Sequence, residues 1–246
     1  MNEDVRTKLK ASSSGQSMRK RQSPKRKASK KKEQAPKPTV EILPIEYETQ
    51  AIEETANVLF KPNKGPQTDF LAAAEREVLY GGSAGGGKSY AMLADPLRYM
   101  GHPAFSGLLL RHTTEELREL VFKSQELYPK IWPGIKWSER KMQWTAPSGA
   151  RLWMSYLDRE DDVLRYQGLA FSWIGFDELT QWATPYAWNY MRSRLRSTAP
   201  DLPIFMRATT NPGGRGHHWV KKMFIDPATP NKAFEATDIE TGEALK

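Results

Sequence analysis

The chain has 246 residues, no Cys and a formal net charge of +8, enough length for one large α/β domain or two small ones. Without Cys there is neither a disulfide framework nor a thiolate metal site. No apolar run reaches the roughly 18–20 residues of a membrane span, and no N-terminal apolar stretch marks a secretory signal, so the expectation is a soluble protein of a reducing cytoplasm.

The charge is unevenly divided. Residues 1–38 carry 13 Lys/Arg against 3 Asp/Glu, whereas residues 39–246 carry 24 against 26. The basicity therefore belongs to the tail. Such a tail either holds a polyanion through counterion release or simply solubilises the chain. Its Ser, Lys, Arg, Gln and Pro cannot bury enough surface to offset their ordering entropy, so residues 1–40 are expected to be a disordered basic tail.

The fold proper is expected over residues 41–230. Glu77-Val78-Leu79-Tyr80 reads as a short strand running into a Gly-rich loop, and residues 88–100 as the helix that leaves it. Gly107 to Arg111 is a second buried strand. Thr113 or Thr114 caps a helix to about Tyr128, with Glu115 and Glu116 in its favourable first turn. After the Pro133-Gly134 break, residues 135–156 alternate apolar and polar around Ser148-Gly149, the pattern of a β-hairpin. Phe171–Phe176 is a third core strand, Pro185–Leu195 a helix and Pro203–Thr210 a fourth core strand. Strands separated by helices imply a mostly parallel sheet covered on both faces.

Gly82-Ser83-Ala84-Gly85-Gly86-Gly87-Lys88-Ser89 matches the phosphate-loop pattern completely, between a strand and a helix. Glycines let backbone N–H groups turn toward phosphate oxygens. Lys88 then reaches the β- and γ-phosphates, Ser89 ligates magnesium, and the helix aims its positive end at the same anion. The ligand expected is ATP with Mg2+. The strand before Asp177-Glu178 ends in two acids, which suits a metal-coordinating Asp177 and a Glu178 that polarises the attacking water. The Glu beside the Asp favours hydrolysis over small-molecule phosphorylation. Thr209-Thr210-Asn211, at the end of the fourth strand, puts Thr210 or Asn211 near the γ-phosphate; the alternative is a strand stopped by a turn. Gln67 offers a donor and an acceptor to an adenine edge, or is an exposed helix-start residue. Among Arg159, Arg165, Arg192, Arg194 and Arg196, most read as surface or DNA-facing residues, and Arg165 is the first choice for an arginine that stabilises transition-state charge from a neighbouring subunit. His217 and His218 read as turn or helix-start residues, and the eight Trp as core and loop anchors.

Together, Tyr80 to Tyr90, Leu109-Leu-Arg-His-Thr, Tyr166-Gln-Gly, Ile174 to Thr180, Arg192 to Arg196 and Thr209 to Gly214, followed by His218-Trp-Val-Lys, resemble the ATPase domain of the large terminase subunit of tailed bacteriophages. The resemblance covers about residues 60–225. It implies an α/β P-loop NTPase of the additional-strand type and an ATP-hydrolysing motor that packages viral double-stranded DNA. It also implies Gln67 as the adenine-contacting glutamine and Thr209-Thr210-Asn211 as the segment coupling hydrolysis to DNA movement. Its partners would be double-stranded DNA, the portal ring, the small terminase subunit and further copies in a ring, in the host cytoplasm and transiently at the procapsid portal. Many large terminases carry an early Arg or Lys in the phosphate loop. Ser83 and Ala84 stand there in this chain, which favours an arginine from a neighbour. Residues 231–246 are expected to begin a truncated or missing C-terminal part, since no acidic constellation for a nuclease follows. The rival readings are a helicase-like ATPase outside packaging and an inactive DNA- or partner-binding remnant.

Overall fold

A computed structural model describes residues 58–82 and 84–237; the expected tail, the first residues of the expected 41–230 domain (41–57), Ser83 and the last nine residues lie outside the described residues. In chain order the elements are α1 (Pro66–Ala72), β1 (Glu77–Gly81), α2 (Lys88–Ala94), β2 (Ser106–Arg111), α3 (Thr114–Ile131), β3 (Lys136–Ser138), β4 (Gln143–Thr145), β5 (Arg151–Tyr156), β6 (Trp173–Phe176), α4 (Tyr186–Arg192), β7 (Phe205–Thr210) and α5 (His217–Val220). Short 3-10 turns cover Asp95–Tyr99, Glu160–Tyr166 and Leu179–Gln181, and a π-turn covers Lys221–Ile225. No described helix is long and apolar enough to cross a membrane.

The sheet has seven strands in the order β1-β7-β6-β2-β5-β4-β3. β1, β7, β6, β2 and β5 are parallel, and β4 and β3 extend them antiparallel. The central strands read as continuous apolar runs because both of their faces are covered. Leu109, Leu152, Met154 and Trp173 join one buried cluster with Met92 of α2 and Leu120 of α3. Leu108, Leu110, Ile174, Phe176 and Met206 join the other, with Trp188 of α4 and Trp219 of α5. Gly175 of β6 has no room for a side chain, since a Cβ there would lie 2.8 Å from Met92 Sδ; this close approach seats α2 on the sheet.

Several boundaries differ from the sequence reading; α4 and β7 are each shorter than expected, at Tyr186–Arg192 and Phe205–Thr210. The helix after the glycine loop is α-helical only to Ala94, then tightens to 3-10 through Tyr99, because Pro96 has no N–H to continue the ladder. Residues 135–156 form two hairpins instead of one. Glu139–Met142 makes the additional turn with Met142 at φ 47°, a turn without Gly, Pro or Asn to announce it. The third core strand begins at Trp173, with Phe171 bridging Leu195 instead of joining the ladder. By contrast, α3 starts where its cap requires. Thr113 Oγ1 accepts from Glu116 N–H and Glu116 Oε2 accepts from Thr113 N–H, both at 3.3 Å, a reciprocal capping box.

Candidate functional site

The parallel register brings the chemistry to one edge. Tyr80 lies opposite Thr209 and Gly81 opposite Thr210. Phe176 lies between Ala208 and Leu110, so the next residue, Asp177, falls between Thr209 and Arg111. The carboxyl ends of β1, β7, β6 and β2 therefore meet in one row, where ligands of parallel sheets collect. β7 stands between the loop-bearing β1 and the acid-bearing β6, while β2 lies on β6's far side.

The loop is braced from beneath. Gly85 and Gly87 have φ of 83° and 75°, a region that costs other residues roughly 1–2 kcal/mol. Tyr80 donates its hydroxyl to Gly86 O at 2.6 Å. Gln67 is buried and donates Nε2–H to Gly87 O at 2.8 Å, while its Oε1 accepts from Asn63 N–H at 2.6 Å. Gln67 is thus no exposed helix-start residue. Its amide grips the loop, which leaves one Nε2 hydrogen for another acceptor. A Cβ on Gly87 would lie 2.6 Å from that Nε2. Lys88 is buried, with Nζ donating to Gly82 O at 3.2 Å, and half-buried Ser89 follows in the first turn of α2. Ala84, Gly85 and Gly86 are exposed above it.

Asp177 is fully buried. Its Oδ1 accepts the Thr209 hydroxyl and its Oδ2 accepts Arg111 Nη1–H at 2.6 Å. Burial raises its pKa, against the pull of Arg111 and Thr209. Arg111 Nε lies 3.6 Å from Glu116 Oε2, and Glu116 Oε1 accepts from Gln181 Nε2–H at 2.7 Å. Burial of Glu116 is outweighed by Gln181, Arg111 and Thr113, so its carboxyl sits below the ordinary value. Neither Arg111 nor Glu116 is singled out as a site residue by the sequence reading. The signal available there is that β2 ends in Arg just as β6 ends in Asp.

Glu178 occupies the left-handed region at φ 61°. Its Oε1 accepts Asn211 Nδ2–H at 2.7 Å and its Oε2 accepts Asn211 N–H at 3.1 Å, while its own N–H donates to Thr209 Oγ1 at 3.1 Å. Burial first, and then the Asp177 charge, raise its pKa, the direction that makes a carboxylate a stronger base. Asn211 Oδ1 is buried without a hydrogen-bond partner, so the acid pair borders an acceptor that still lacks a donor. Thr210 Oγ1 donates to Thr180 Oγ1 at 2.8 Å, and Gly216 N–H donates to Thr180 O at 2.7 Å, tying both ends of the loop after β7 to the turn after Glu178.

Arg165 is not brought into this row. It lies in the 3-10 turn after β5, half-exposed, with Nη2–H donating to Tyr156 O at 2.9 Å and pairing with Asp162 at 3.3 Å. β5 is four strands from β1, or about 19 Å at ~4.8 Å per strand. Arg192 pairs with Glu77 at 2.6 Å, a structural bond. His217 and His218 open α5, as read. Among the described residues no cluster of three His, Cys, Asp or Glu is placed to hold a metal. A magnesium ion held by one or two protein oxygens and by phosphates needs none.

A glycine loop between strand and helix, an acid pair on a non-adjacent strand and a further strand inserted between them define the P-loop class of the additional-strand kind. Within that class, residues 79–244 match the model of the family "Terminase large subunit, T4likevirus-type, N-terminal", and the chain belongs to this family. No curated protein matches it in sequence. The fold is similar to the large terminase of a thermophilic bacteriophage, at 17% identity over 68% of this chain and 43% of that one, with a TM-score of 0.54. The same phage's large terminase in complex with ADP aligns at 18% identity, 67% and 42% coverage and a TM-score of 0.52. The large terminase of bacteriophage HK97 aligns at 13% identity, 66% and 36% coverage and a TM-score of 0.50. The chain spans about two fifths of the length of these relatives or less.

Proposed function

We propose that residues 41–230 are an ATP-hydrolysing motor domain that drives double-stranded DNA into a phage procapsid. The observation that carries this reading is the shared edge: the glycine loop, Asp177-Glu178 and Thr209-Thr210-Asn211 converge there from β1, β6 and β7. Membership of the large-terminase family and the ADP bound by the thermophilic-phage relative support this reading of the nucleotide.

In this reading the N–H groups of residues 82–89 and the Lys88 ammonium take the phosphates of ATP, and Gln67's remaining amide hydrogen serves the adenine. Ser89 and Asp177 are the residues that would hold Mg2+, which when bound neutralises charge on the β- and γ-phosphates. Asp177 fits that role because each of its oxygens keeps a second lone pair beyond Thr209 and Arg111. Glu178 accepts the proton of the attacking water as the water oxygen bonds to the γ-phosphorus and the β,γ-bridging oxygen departs. Asn211 fixes the Glu178 carboxylate, and its free Oδ1 suits a water hydrogen. Any shift of Glu178 is passed through Asn211 and Thr180 to the loop after β7, a route from hydrolysis to movement. Arg165, half-exposed and remote from its own chain's loop, is suited to a neighbour's nucleotide in a ring. The portal ring and small terminase subunit are the remaining partners, met in the host cytoplasm at the procapsid.

The test is phosphate release by the protein alone, with duplex DNA, and with portal-bearing procapsids. Stimulation by DNA and procapsids together is expected. Strand separation without portal binding would replace the reading by a helicase-like one, and nucleotide binding without hydrolysis by an inactive remnant.

A further inference from the structure

The far edge of the sheet carries a second feature. In the β3–β5 meander Trp137, Trp144 and Leu152 are register partners packed in the cluster beneath α3. The adjacent row, Lys136, Thr145 and Arg151, therefore faces the opposite way, because successive residues of a strand alternate faces. The turn between β3 and β4 adds Arg140 and Lys141. All four cations are exposed, and none forms an ion pair with a described residue. The one acid of residues 136–151, Glu139, accepts the Trp137 indole N–H. Arg151 is held over the Trp153 ring, 5.7 Å from its centroid, so part of its ordering is already met.

Two properties identify the partner. Residues 39–246 are net acidic, so four cations against one anion on this edge are a local concentration. Moreover, no exposed large apolar side chain of the described residues lies between 136 and 156, so the patch lacks the anchors that hold a protein partner. Lys136 and Arg151 are two strands apart, about 10 Å. Duplex DNA presents a charge every ~1.7 Å of axis, so a patch of this width meets several phosphates.

We propose that Lys136, Arg140, Lys141 and Arg151 form a contact surface for the phosphate backbone of duplex DNA, read without regard to sequence. The inference rests on the motor reading above. The experiment is anisotropy of a random-sequence duplex of about 30 base pairs, titrated with the full chain at increasing KCl, comparing wild type with the variant K136A/R140A/K141A/R151A. A control, K61A/K64A/R118A/K232A, removes four exposed cations elsewhere, and the N-terminal tail is common to all three. Each lost phosphate contact removes about 0.9 from the slope of log K against log salt. The quadruple variant is expected to bind with a slope shallower by about 3.6 and at least roughly tenfold more weakly, the control to stay near wild type, and basal hydrolysis without DNA to be unchanged. The pair variant R140A/K141A, confined to the turn, is expected to show about half the slope change and serves if the quadruple variant does not fold. A slope equal to wild type, an equal loss in the control, or loss of a protein partner with DNA binding intact overturns the proposal. Intact hydrolysis with an unchanged slope defeats this surface alone. A changed slope in a chain that never hydrolyses ATP defeats the motor reading instead.

Discussion

Removing Arg111 should cost the domain stability in a pH-dependent way, because the Asp177 carboxylate has few other partners. Asp177 and Arg111 have side-chain exposures of 1% and 13% and are joined at 2.6 Å. Arg111→Ala leaves the acid with the Thr209 hydroxyl and its own burial. Breaking a buried pair from one side costs about 3–5 kcal/mol; Arg111's residual exposure favours the lower end, about 3 kcal/mol. For a domain of this size each kcal/mol moves Tm by about 2–4 °C, so a fall of roughly 6–12 °C is expected near neutral pH. By linkage, a group whose pKa is raised in the folded state contributes stability in acid and loses it as pH rises. Asp177 is such a group. Without Arg111 its pKa goes higher still, and Glu116 loses one of the partners that lower its own. Both changes shrink the gap between variant and wild type as pH falls. Thermal unfolding of wild type, Arg111→Ala and Arg111→Lys at about pH 5 and pH 8 measures this. Lys keeps the charge but not the planar fork and should recover part of the loss. An Arg111→Ala Tm within about 2 °C of wild type at the higher pH, or a gap that widens in acid, would refute the reasoning.

Gly87→Ala forces a side chain into a positive-φ site facing Gln67; isothermal titration should find nucleotide binding lost while the circular dichroism of the fold persists. Because Glu178 has a raised pKa from burial and from Asp177, kcat should fall on acidification with a midpoint above the ordinary carboxylate value of about 4.3. Asn211→Ala should move that limb further upward, since the amide donor to the anion is gone; a downward shift would remove Asn211 from the base. Arg165→Ala should retain ATP affinity yet lose turnover. Mixing it with a Lys88→Ala chain should restore a fraction of the activity if the arginine acts on a neighbour, and none if it acts within its own chain.

Much of this edge is legible in residues close together along the chain. The glycine loop, the strand feeding it, the Asp177-Glu178 strand end and the Thr113-Glu116 cap each depend on spacings of a few residues, which local stereochemistry dictates. The pairing of Arg111 with Asp177 spans 66 residues and follows only once β2 and β6 are known to be neighbours. Gln67's bond to Gly87 spans 20 residues, and nothing local distinguishes a glutamine that grips the loop from one that waits for adenine. The insertion of β7 between β1 and β6 is expected from the family resemblance but not from local pattern, since the chain order places β2 after β1 and is silent on their separation. The Glu139–Met142 turn is hidden in the sequence because its residues carry no turn chemistry, and the register of β3 with β4 imposes it.

Binding and chemistry separate most cleanly at Glu178. Glu178→Gln should bind ATP with the affinity of the wild-type chain, while its single-turnover rate of phosphate release falls by roughly 10²–10⁴-fold. A Glu178→Gln chain that releases phosphate at the wild-type rate would contradict the assignment of the base, and with it the reading of this edge as the site of hydrolysis.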